Sequence, residues 1–357
     1  MIRTDAELEG LVAAYQPERV VVDTEYASEG RYRGVLGLVQ LAWADQWAII
    51  DPLEVSLAPL SCWQSAQWVT HDGSQDWGLL LEGGMVRPAQ LFDTQLAARM
   101  LGLSDLGLAK LMRSQLGEAH DKGAQRSNWL RRPLSEQQLI YAQQDVVGLQ
   151  RLADHLETKL VATGRWHMTL EAGEEALDRW CYVGPRKAPA VEKFRALRRT
   201  SPAIRGRAKA LLQWRESEGF KRNRPVRWLL SDEDLVAMAL GRTEPKEPSH
   251  AEVLTASQPL PKDDQRRMDG EQRAALKVLK RQRASLAERV QMDPSLLAPP
   301  ALLHDLVLGR VELHDQGWRT AWLEQMLNEP TDPDPAPPEE PVGSGGASAA
   351  EVPSSSA

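Results

Sequence analysis

Residues 19–25 read Arg19-Val20-Val21-Val22-Asp23-Thr24-Glu25. Three consecutive β-branched residues favour a buried strand. The run ends in two acids spaced two apart. Side chains alternate along a strand, so Asp23 and Glu25 share one face. Acids at the end of a core strand are rarely buried unless paired or metal-bound. Two convergent carboxylates suit a hard cation such as Mg²⁺. The same spacing at Asp5-Ala6-Glu7 has no core strand before it and reads as a solvated helix start.

Further strands are expected over 36–43 and 46–51, with a turn near Ala44-Asp45, and over 67–71. Helical patterns cover 94–101 and 106–116. The strongest helix starts at Ser135, where Ser135-x-x-Gln138 forms a capping box. Apolar residues then recur at helical spacing at Leu139, Ala142, Val146, Leu149, Leu152, Leu156 and Leu160. Strands mixed with helices over 1–165 predict an α/β domain with a mixed sheet. Strand signals fade after Arg165. Helices are expected over 171–180, 191–199, 204–218, 232–240 and 272–290, with a long Pro-, Ser- and charge-rich loop near 241–264. From about residue 330 the chain lacks aromatic residues, Leu and Ile, which predicts a disordered acidic tail.

The 357 residues suggest two or three domains. No stretch approaches the ~18 apolar residues of a membrane helix. The opening MIRTDAELEG carries acids where a signal peptide needs an apolar core, so a cytoplasmic location and no membrane partner are expected. Two distant cysteines, Cys62 and Cys181, exclude a disulfide framework or a cysteine-rich zinc site. The net charge of -7 is uneven. Residues 329–357 hold six acids and no Lys or Arg, whereas 186–227 hold fourteen Lys/Arg against three Glu. Local charge decides which surface meets phosphate, so the second segment is a candidate nucleic-acid contact.

Two more acids and a tyrosine complete the candidate chemistry. Asp76 follows the fourth strand, where it reads equally as a first-turn helix acid. Tyr141 and Asp145 lie one turn apart on the strong helix, at the flank of its apolar stripe.

The order Asp-x-Glu, Asp, then Tyr-x-x-x-Asp resembles the tyrosine-bearing branch of the DEDD superfamily of 3′–5′ exonucleases. Val22-Asp23-Thr24-Glu25-Tyr26, Leu38-Val39-Gln40-Leu41-Ala42, His71-x4-Asp76 and Phe92-Asp93-Thr94-Gln95 resemble the ribonuclease D family. So does the long run from Asp121 to Ser135, DKGAQRSNWLRRPLS, leading into Tyr141-Ala142-Gln143-Gln144-Asp145. Asn128 stands where the family more often has Asp, and Tyr26 where it has Phe. In the helical half, Leu211–Glu216, Lys221-Arg222-Asn223-Arg224-Pro225 and Trp228–Asp232 resemble an HRDC domain, a small helical nucleic-acid-binding module.

The resemblance implies a ribonuclease H-like α/β exonuclease domain over 1–165. A helical connector (166–203), an HRDC-like domain (204–283), a second, divergent helical HRDC-like domain (284–330) and the tail (331–357) would follow. It implies two divalent ions, Mg²⁺ or Mn²⁺, held by Asp23, Glu25, Asp76 and Asp145, with Tyr141 orienting the attacking water. Lys122, Arg126, Arg131 and Arg132 can grip phosphate near the cleft, or equally form a solvated basic loop. Lys221, Arg222 and Arg224 are the candidate RNA contacts of the helical half. His71, His120 and Asp93 read as structural. The expected activity is a metal-dependent 3′–5′ exoribonuclease acting on tRNA precursors and other structured RNAs with single-stranded 3′ ends, as a monomer. The competing readings are a DNA 3′–5′ exonuclease and a non-catalytic RNA-binding protein.

Overall fold

The computed structural model describes residues 1–119, 123–125, 127–261 and 268–329. Its sheet has strands β1 (Arg19–Ala27), β2 (Val35–Trp43), β3 (Gln46–Ile50), β4 (Gln67–Thr70) and β5 (Gln90–Asp93), in the order β3-β2-β1-β4-β5. Central β1 pairs antiparallel with β2 and parallel with β4, so the sheet is mixed. The β2–β3 hairpin turns at Ala44, whose φ is +45°. The three valines of β1 serve two cores. Val20 and Val22 join Leu41, Trp43, Trp68 and Trp77 on one face, while Val21 joins Val69, Phe92 and Leu149 on the other. A strand buried on both faces reads as a continuous apolar run.

Helices α1 (Asp5–Ala14), α2 (Asp76–Glu82), α3 (Thr94–Met100) and α4 (Leu108–Leu111) surround the sheet. The long α5 (Glu136–Ala162) crosses the face that carries Val21, and its capping box forms in both directions between Ser135 and Gln138. Helix α6 (Trp166–Trp180) lies directly on β5. A Cβ at Gly173 would fall 2.3 Å from the Leu91 carbonyl oxygen, so only glycine permits that approach.

The remaining helices divide into two sets. Helices α7 (Pro202–Arg222), α8 (Val226–Leu229), α9 (Asp232–Ala239) and α10 (Pro248–Thr255) enclose their own core of Leu211, Leu212, Leu235 and Met238. Helices α11 (Gly270–Arg289), α12 (Pro294–Leu297), α13 (Pro300–Val307) and α14 (Thr320–Leu327) have none of their own. Their Leu286, Leu297, Leu303, Leu323 and Met326 merge with Phe92, Leu96 and Met100. Polar clamps fix the join. Arg99 pairs with Asp293 at 3.2 Å, Arg319 pairs with Glu175 at 2.6 Å, and Arg165 donates to the Met100 and Gln291 carbonyls.

Several expectations are corrected. Strand β5 was not expected, since it offers only Leu91 and Phe92 between two polar residues and no β-branched side chain. The helix expected over 191–199 is two 3₁₀ turns, Val191–Lys193 and Arg195–Leu197. The one over 106–116 is α4 followed by a π-helical turn, Met112–Leu116. The loop near 241–264 contains α10, started by Pro248 at its first position. The division expected at 283/284 falls inside α11, whose capping box at Asp269 and Gln272 starts one uninterrupted helix. The expected tail, His120, Lys122 and Arg126 lie outside the described residues.

Candidate active site

Strand β1 delivers Asp23 and Glu25 to the face covered by α5, and α5 presents Tyr141 and Asp145 back toward them. Carboxylate oxygens of Asp23, Glu25 and Asp145 lie within 4.8 Å of one another. Asp76, the first residue of α2, accepts a hydrogen bond from the Thr24 hydroxyl. All four acids and Tyr141 line one cleft of about 850 Å³. The Tyr141 and Asp145 side chains are hydrogen-bonded to each other.

Burial, then repulsion from Asp145, Asp76 and Glu25, holds the Asp23 carboxyl well above the usual carboxylate range. Glu25 is pushed up to about 8 by burial and by the Asp145 and Asp76 charges. Asp76 rises to about 6 through burial, against the lowering effect of the Thr24 hydroxyl. Burial followed by the charges of Asp145, Glu25 and Asp23 raises the Tyr141 phenol as well. This is the electrostatics of a cation site: the carboxylates resist ionising together until positive charge arrives. Their all-oxygen donor set suits hard divalent metals.

The cleft rests on a hydrogen-bonded floor. Asp93 caps α3 through the Leu96 N–H at 2.9 Å and also accepts from the Thr70 hydroxyl at 3.0 Å and the Gly73 N–H at 3.1 Å. His71 Nδ1 lies 2.9 Å from the Thr94 hydroxyl, and burial lowers its pKa. Both roles are structural.

The basic residues scatter. Arg132 departs from the reading as a phosphate contact. Its guanidinium is bound inward by fully buried Asp51 at 2.5 Å and by the Trp129 and Gly37 carbonyls. Arg131 and Arg224 are exposed. Lys221 and Arg222 are exposed but both pair with Glu218, at 3.0 and 2.8 Å. Sequence reasoning missed Lys110, Gln95 and Gln125, which line the cleft. It also missed Arg31, Arg33 and Arg179, which line a second groove beside it together with Arg186, the first residue of the basic 186–227 segment. The three lie outside that segment, so no long charge run marks them.

Residues 1–161 match the 3′–5′ exonuclease family, and the acid cluster joins that domain's central strand β1 to helix α5. The fold and site therefore define a 3′–5′ exonuclease. Ribonuclease D of Xanthomonas oryzae pv. oryzae is 35% identical over 253 residues, covering 67% of each chain. That of Shewanella sp. is 33% identical, covering 69% of this chain and 64% of the relative. The crystal structure of Escherichia coli RNase D, an exoribonuclease involved in structured RNA processing, superposes with a TM-score of 0.76 at 25% identity. It covers 92% of this chain and 98% of that one. The chain belongs to the ribonuclease D family, whose activity is 3′–5′ exoribonuclease. Among the described residues no helix is long and apolar enough to cross a membrane.

Proposed function

We propose that this protein removes nucleotides one at a time from single-stranded RNA 3′ ends, maturing tRNA precursors and trimming other structured RNAs in the cytoplasm. The convergence of Asp23, Glu25 and Asp145 within 4.8 Å carries the reading. With Asp76 across the cleft, these residues would hold two divalent cations, Mg²⁺ or Mn²⁺. When bound, such ions supply charge neutralisation at the phosphate and a more acidic water. The all-oxygen donor set supports a hard divalent ion, and the mutual repulsion of four acids supports more than one.

Tyr141 orients the attacking water. Its ordinary pKa near 10, raised further by burial and by the neighbouring carboxylates, makes it a poor base without metal, so orientation of the water is the proposed role. Its bond to Asp145 ties that orientation to the carboxylate cluster. Helices α7–α10 form the HRDC-like unit, with Lys221, Arg222 and Arg224 on an exposed basic edge for the RNA body.

The test is incubation of purified protein with 3′-extended tRNA and a matched DNA strand, with Mg²⁺ or Mn²⁺. Shortening of the RNA is expected, and faster shortening of the DNA would overturn the RNA assignment. Asp23→Asn and Asp145→Asn should abolish turnover while RNA binding survives. Tyr141→Phe should cost roughly 10²–10⁴-fold in single-turnover rate, the usual worth of a positioned acid–base group. Wild-type turnover in Asp23→Asn would refute the metal-site assignment.

A further inference from the structure

A groove of about 470 Å³ adjoins the acidic cleft, and Tyr26, Ser74 and Gln75 line both. Its other walls come from the 28–34 loop, the last turn of α6 and the segment that follows. They bring together Arg31, Arg33, Arg179 and Arg186, against the acid Glu82, which pairs with Arg33 at 2.7 Å. Arg186 is held in place: it stacks 4.6 Å over the Tyr32 ring and donates to the Tyr32 carbonyl at 2.7 Å. Tyr182, 61% exposed, lines the same groove, and its hydroxyl donates to the Pro185 carbonyl at 3.2 Å.

We propose that this groove holds the RNA strand upstream of the two nucleotides that flank the scissile phosphate, which the acidic cleft itself accommodates. The proposal rests on the exoribonuclease reading and specifies how its substrate enters. A guanidinium fork matches phosphate geometry. An exposed aromatic face stacks a base without regard to sequence, as a trimming enzyme requires. The groove meets the cleft at Tyr26, Ser74 and Gln75, so the terminal nucleotide occupies the rest of the cleft, which Leu106 and Leu108 also line.

The test compares a dinucleotide with a single strand of about eight nucleotides, within the usual reach of such grooves. The variants are Arg179→Ala, Arg31→Ala and Tyr182→Ala in the full chain, with folding checked by circular dichroism. KM for the longer strand should rise roughly tenfold at unchanged kcat, the scale of one lost stacked base. KM for the dinucleotide should stay put. Each arginine variant should flatten the log–log salt slope of long-strand binding by about 0.7. Unchanged long-strand KM, or equal effects on both substrates, overturns the groove assignment. A wild-type protein that cleaves neither substrate sinks the exoribonuclease reading, and the groove with it.

Discussion

Helices α7–α10 and α11–α14 are similar in size and equally free of strands, but they are attached in opposite ways. The first set closes on its own core and meets the exonuclease domain through a polar seam. Tyr32 donates to Glu216 at 2.7 Å, the Arg33 N–H donates to Asn223 at 2.8 Å, and the Arg33 guanidinium stacks 4.3 Å over Phe220. The second set contributes to the core beneath the sheet. Loosening this seam exposes little apolar surface beyond the Tyr32 and Phe220 rings, whereas loosening a shared core exposes many aliphatic side chains. The first set is therefore suited to gripping substrate and the second to holding the catalytic domain together.

Removing residues from 270 onward gives the largest expected effect. It strips Leu286, Leu297, Leu303, Leu323 and Met326 from the shared core, so dinucleotide hydrolysis and cooperative melting should both be lost. A truncated chain that melts at the wild-type temperature would break the comparison. By the same reasoning, a fragment ending near Arg165 keeps every acid but loses α6, and it should not fold.

Single leucines sharpen the contrast. Leu297→Ala and Leu235→Ala each delete a fully buried side chain, worth about 2–5 kcal/mol. Leu297→Ala should lower the calorimetric transition at which activity disappears. Leu235→Ala should lower a separate transition and leave dinucleotide turnover intact below it. One merged transition responding to both would mean that the two sets share a cooperative unit.

The pH response should belong to the exonuclease transition. Asp23 and Glu25 have folded-state pKa values above their unfolded ones, with Glu25 at about 8. The folded, metal-free protein therefore binds more protons than the unfolded chain, and its stability falls as pH rises from about 5 through 8. Saturating Mg²⁺ should flatten that slope, and metal binding should release protons. A metal-free melting temperature that rises over this range would contradict the clustered carboxylates.

The smallest effect is expected at the seam. Tyr32→Phe removes the donor to nearly buried Glu216, at a cost of about 1–3 kcal/mol. It should raise KM for structured RNA more than for a dinucleotide. An equal rise for both would place Tyr32 in the catalytic domain's own stability.

Much of the catalytic half was legible because its signals are local. The valine run, the Ser135 capping box and the Tyr141–Asp145 spacing each depend on residues a turn or a strand apart. Strand β5 was not legible because, unlike the equally short β4 with Val69 and Thr70, it has no β-branched residue. Arg132 was misleading for another reason. A cation in a basic run looks solvated until the fold supplies its partner, here Asp51 from 81 positions away.

The resemblance to the ribonuclease D family singled out the four acids and the tyrosine, while the sequence by itself determined the sheet's central strand and the largely helical character of the described residues after Arg165. The strand and the helices follow from side-chain alternation, helical spacing and capping chemistry, which are properties of short segments. Only the tertiary structure decided that the last helices share the sheet's core, and that four arginines from separate segments line a groove beside the acids. Those outcomes depend on which apolar faces meet and which charges find partners far along the chain. Only the closed fold sets such distances.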